Sequence, residues 1–75
     1  MKVEKGIYQH YKGNLYEVIG VGKNSETLEE FVVYKALYYS KEFGENAIWI
    51  RPIKMFFENV NFEGKIIKRF KKIKT

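Results

Sequence analysis

Cysteine and aspartate are absent from this 75-residue chain, and histidine, proline and tryptophan occur once each. Without cysteine there is neither a disulfide framework nor a thiolate zinc site, and the absence fits a reducing compartment. Without aspartate no Ser-His-Asp triad is available, so a glutamate would have to orient the lone His10. Ser25 and Ser40 are the only serines, and neither lies in a Gly-x-Ser-x-Gly turn that would expose a nucleophile. His10 with glutamates would bind a metal only if the fold gathered three ligands, because no His-x-x-His or Cys-x-x-Cys spacing exists. No cofactor is therefore expected. Long apolar runs are missing too: Met1 to Gly6 lacks a signal-peptide core, and nothing approaches a membrane span. The expectation is a soluble cytoplasmic protein with no membrane partner and no catalysis.

What remains is aromatic, β-branched and basic. A chain of this length forms one domain and buries only roughly 60–65% of the surface that its unfolded form exposes. The net charge of +5 is unevenly placed. Met1 to Val60 holds eight Lys/Arg and eight Glu, whereas Asn61 to Thr75 holds six Lys/Arg and one Glu. The C-terminal fifteen residues thus carry the whole excess. Lys65, Lys68, Arg69, Lys71 and Lys72, with Phe70 among them, make a candidate nucleic-acid surface. Lysines on an edge strand also deter edge-to-edge aggregation, which is the plainer reading of the same residues.

Strand signals dominate. Lys12-Gly13-Asn14 predicts a turn between strands at Gly6–Tyr11 and Leu15 to about Lys23. Gly20 and Gly22 inside the second strand predict a bulge or bend. A polar connection at Asn24–Thr27 leads to a third strand, Glu30–Tyr38; a loop at Tyr39–Asn46 leads to a fourth, Ala47–Arg51. Pro52 then opens a helical spacing of Ile53, Phe56, Phe57 and Val60, predicting a two-turn helix to Asn59 or Val60 whose Phe56 and Val60 cover an open end. The tail fits a hairpin, Val60–Phe62 and Lys65–Ile67 about Glu63-Gly64, or a basic helix with Ile66, Ile67, Phe70 and Ile73 on one stripe. The hairpin is preferred, with residues 6–70 as the core and 71–75 as a frayed basic tail. The fold class expected is mainly β: a small SH3-like barrel of about five strands with one short helix after Pro52.

By Pro52 two sequence blocks are on the page that resemble a small bacterial family, the domain of unknown function number 1653. They are His10-Tyr11-Lys12-Gly13 and Trp49-x-Arg51-Pro52-x-x-Met55-Phe56. Ser25-Glu26-Thr27, Val32-Val33-Tyr34, Gly64-Lys65 and Arg69-Phe70 extend the resemblance, which runs from about Gly6 to Phe70. Asn24 stands where relatives often carry a second histidine. The resemblance implies a stand-alone domain and supplies no substrate, cofactor or mechanism.

Alternation along the fourth strand puts Ile48 and Ile50 on one face and Trp49 and Arg51 on the other. With the isoleucines in the core, Trp49 and Arg51 would face outward as a recognition pair. The opposite placement has Trp49 capping an open end and Arg51 paired with Glu17, Glu29 or Glu30. The leading functional expectation is a non-catalytic binding module. Its protein or small-molecule ligand would meet His10, Lys12, Trp49, Arg51 and the Ser25-Glu26-Thr27 loop. The first alternative is a nucleic-acid-associated module using the basic tail and exposed aromatics. The second is a small hydrolase-like enzyme with His10 beside Ser25 or Glu29.

Overall fold

The structure, a computed structural model, describes residues 2–75. Gly6–His10 (β1) and Leu15–Lys23 (β2) pair antiparallel, with Tyr8 opposite Tyr16 and Gln9 opposite Leu15. Gly13 takes φ +112°, a conformation that costs a glycine little, and its N–H donates to the His10 carbonyl at 2.7 Å. Glu30–Ala36 (β3) pairs with β2, and Ile48–Pro52 (β6) pairs with β3. Between them Tyr39–Ser40 (β4) and Gly44–Glu45 (β5) form a minimal hairpin inside the expected loop. Ile53–Phe56 (α1) follows β6. Asn59–Phe62 (β7) and Lys65–Lys68 (β8) make a second hairpin, and Phe70–Lys74 (β9) returns to pair with β1. No helix among the described residues is long and apolar enough to cross a membrane.

The chain is mainly β, and its principal sheet has the order β6-β3-β2-β1-β9. The expected SH3-like barrel does not close. β6 and β9 remain the two edges, because the chain between them spends its strands on the separate β7–β8 ladder. The inner face is covered instead by Phe56 of α1, which is fully buried. Its ring stacks on Phe70 at 4.2 Å between centroids and meets Tyr8 and Tyr34 edge-on. Tyr8, Val18, Val32, Tyr34, Phe56 and Phe70 form the core cluster, with Trp49, Tyr16, Ile53 and Phe57 packed against it.

The β1–β2 and β7–β8 hairpins fall where the turn residues place them. Glu63 and Gly64 take φ of 51° and 80°, as a two-residue type I′ turn requires. A register shift between Val18 and Gly20 makes Ile19 the extra residue of a bulge, so the glycine signal in β2 is met. The bulge also changes phase: Tyr16 and Val18 share the inner face before it, and Val21 lies opposite buried Val32 after it.

Four expectations are corrected. Ile48 and Ile50 are 56% and 62% exposed and belong to the outer face, because their partners Lys35 and Val33 point away from the core. Trp49 and Arg51, opposite Tyr34 and Val32, face inward. The helix is a single turn. Once Phe56 is buried, Phe57 leaves helical geometry at φ −99°, ψ 5°, and Val60 joins β7 opposite Ile67. Finally, residues 71–74 do not fray, since Lys71, Lys72 and Lys74 pair with Gln9, Tyr8 and Ile7.

Candidate functional site

His10 ends β1 on the inner face, opposite Phe70. Its ring lies edge-on to Phe70 at 4.9 Å and against Tyr11 at 4.5 Å. Its Nδ1 accepts from the Lys12 N–H at 3.1 Å, which leaves the neutral imidazole proton on Nε2. Burial lowers the His10 pKa from its ordinary value, and the charges of Arg69, Arg51 and Lys12 lower it further. No carboxylate opposes them in that balance. Burial first, and then three nearby cations, favour the neutral imidazole.

Beside it runs a groove of about 600 Å³, bounded by the β1–β2 turn on one side and the β7–β8 hairpin on the other. Gln9, His10, Tyr11 and Gly13 supply one wall; Asn59, Ile66, Ile67 and Lys68 supply the other, with Lys71 at the β9 edge. Tyr11 is braced edge-on by Phe62 at 5.4 Å. Asn59 and Lys68 stand opposite each other in the hairpin register. None of the groove's lining residues is acidic.

The basic residues divide sharply. Arg69 Nη2 donates to Glu58 Oε1 at 2.6 Å and Lys72 Nζ to Glu4 Oε1 at 3.0 Å, so both are held in ion pairs. Lys12, Lys65, Lys68 and Lys71 are exposed, and none has a carboxylate partner among the described residues. The Arg69 Nε, buried, also lacks an acceptor.

Arg51 and Trp49 face the interior rather than the outer face. Arg51 Nε donates to Tyr34 Oη at 3.4 Å, and none of the expected glutamates pairs with it. Trp49 meets Phe43 edge-on at 5.0 Å, while its buried Nε1 has no acceptor. Tyr16 and Tyr38 share a hydroxyl hydrogen bond of 2.6 Å. Burial, then that bond, push the Tyr16 pKa well above the ordinary tyrosine value.

The Ser25-Glu26-Thr27 loop is not part of this assembly. Its turn is tied by Asn24, whose Oδ1 accepts from the Glu26 and Thr27 N–H groups. The nine residues of β2, at about 3.3 Å each, separate it from the β1–β2 turn where His10 sits. His10 is thus out of hydrogen-bond reach of Ser25 and Glu29. A second hollow, about 770 Å³, lies at that far end, where Lys23 and Lys54 are balanced by Glu29 and Glu30. It is the larger of the two, yet it carries no net charge and none of the aromatic residues. Among the described residues no three His or Glu side chains converge as a metal site.

Of the residues singled out by sequence, the structure brings together His10, Lys12, Lys68 and Lys71, with the charges of Arg69 and Arg51 felt at His10, while Trp49 stands apart against Phe43. Gln9, Tyr11, Asn59, Ile66 and Ile67 were not foreseen as groove walls. Strand alternation and turn chemistry place each of them locally, but only the docking of one hairpin beside another joins them.

Comparison with known proteins gives a family and no activity. The family model for DUF1653, protein of unknown function, matches residues 6–72. No curated protein matches the sequence. The crystal structure of a DUF1653 protein from Bordetella bronchiseptica superposes with a TM-score of 0.86 at 29% identity, covering 97% of this chain and 90% of that one. A match over nearly the whole length, in sequence and in fold alike, makes this chain a member of the DUF1653 family.

Proposed function

We propose that this domain is a non-catalytic binding module whose ligand is anionic and lies in the groove beside His10. The observation that carries the reading is the charge pattern: a groove bearing Lys68 and Lys71 and no carboxylate, beside an imidazole whose protonation is disfavoured by burial and then by the charges of Arg69, Arg51 and Lys12. Such a cleft, with low-dielectric walls and one sign of charge, concentrates counter-ions. An anion in the groove would offset the cations that disfavour protonation and so raise the His10 pKa toward its ordinary value. Nothing in the arrangement calls for bond making, since His10 has neither a nucleophile nor a glutamate in reach.

The test is a pyrophosphate titration followed by NMR at low salt. Binding should shift the amide signals of Tyr11, Gly13 and Lys68 and move the His10 titration midpoint upward. The double variant K68Q/K71Q, at two exposed positions, should keep its fold and lose the effect. Unmoved His10 and groove signals up to millimolar pyrophosphate would overturn the reading.

A further inference from the structure

We infer that the anion is a single-stranded nucleic acid, an inference that rests on the anionic-ligand groove proposed above. The first support is the distribution of unpaired charge. Lys68 and Lys71 line the groove and Lys12 flanks it from the β1–β2 turn, whereas Lys65 leaves the opposite face of β8 from Lys68. Cations on separate walls of one groove match successive phosphates of a chain; a lone anion would engage only one or two of them. The second support is what lies between the charges. Tyr11 and the 66% exposed Ile66 line the groove, and Phe62, 37% exposed, extends the surface beyond Tyr11.

Aromatic and apolar side chains offer surfaces on which unpaired bases stack, and stacking tolerates any sequence. A duplex hides those base faces and would leave this surface unused. An acidic peptide would satisfy the lysines but brings few flat π-surfaces. Asn59 adds an amide able to meet a base edge, because no hydrogen bond among the described residues occupies its side chain. This assigns phosphate contact to Lys68, Lys71 and Lys12, and base stacking to Tyr11, with the Lys12 ammonium, 5.8 Å over the Tyr11 ring, moving aside to a phosphate as a base stacks there.

The experiment is a fluorescence anisotropy titration of labelled oligo(dT) twelve-mers, a twelve-base-pair duplex and a polyglutamate of similar charge, at two salt concentrations. The expected dissociation constant for the oligo(dT) is about 10⁻⁴–10⁻⁶ M, with weaker binding of duplex and polyglutamate. K68Q/K71Q should reduce the slope of log affinity against log salt by about 1.4, at about 0.7 per phosphate contact on a single strand. Y11A should weaken oligo(dT) binding roughly 5- to 150-fold and leave polyglutamate unaffected. Thermal melts identify a variant that loses structure, and the exposed lysines carry the test if Y11A does. Equal binding of oligo(dT) and polyglutamate, or duplex bound more tightly than single strand, overturns the nucleic-acid assignment while the anionic groove stands. No response to any polyanion, with pyrophosphate also silent, overturns both.

Discussion

The two faces of the main sheet are built from different kinds of apolar residue. Inside, Tyr8, Tyr34 and Phe70 meet Phe56, with Tyr16 and Trp49 packed against the same cluster of mostly edge-to-face rings. Outside, Ile48, Ile50 and Val33 lie across neighbouring strands, and both isoleucines are more than half exposed. Hydropathy alone ranks these faces the wrong way round. The difference teaches that a short chain with an open sheet fills its interior by area per residue. Aromatics bury 150–250 Å² each, so a few of them provide what a larger domain assembles from many aliphatics. Their polar tips also find partners at the core margin, as the Tyr16–Tyr38 bond does.

That comparison is easiest to break from the inside. Phe70→Ala removes the ring stacked on Phe56 and touching Tyr34 and Tyr16. Loss of about 3–5 kcal/mol is expected in urea melts, enough to leave a domain of this size largely unfolded. Tyr16→Phe is the finer cut. It deletes one hydroxyl of the half-buried pair and should cost about 1 kcal/mol, with the rings still in place. A wild-type midpoint for this variant would show that the phenols contribute through their rings alone.

Acid tests the inner margin without mutation. The folded state lowers the His10 pKa, so below about pH 6.5 the unfolded chain takes up the proton more readily than the fold does. Stability should therefore fall as pH drops from about 6.5 through the lower folded value. His10→Gln should flatten that part of the profile, and an unchanged slope between pH 7.5 and 5 would contradict a His10 pKa lowered by burial and the nearby cations. The smallest effect belongs to the outer face. Ile50→Ala should change stability by no more than about 0.5 kcal/mol, an order of magnitude below Phe70→Ala. A large loss there would restore the isoleucines to the core.

What the sequence made legible was local. Lys12-Gly13-Asn14 and Glu63-Gly64 specify turns through backbone conformations that few residues accept, and both hairpins form around them. Pro52 likewise marks the passage from β6 to α1. Sidedness was not legible, because alternation separates Ile48 and Ile50 from Trp49 and Arg51 without saying which set turns inward. That choice belongs to the order of strands and to Phe56, which seats itself against Tyr34 on the Trp49 side. The Ile19 bulge adds a phase change that no period-two pattern carries across. The site was legible as residue types, His10 and the lysines, and not as a place. Nothing near Asn59 in sequence announces that it will stand across a groove from Gln9 and Tyr11.

The pairing of β9 with β1 has a consequence for how this molecule is made. A ribosome delivers β1 first, and its outer edge stays open until Phe70–Lys74 emerges. Phe56 leaves the tunnel earlier, yet its stacking partner is Phe70, so the interior is incomplete until β9 has emerged. Long-range pairing of this kind is slow relative to local hairpin formation, and an unpaired edge is a template for other chains. The nascent chain is thus exposed to misassociation until β9 docks on β1, with hairpin turns available and no complete core to hold them.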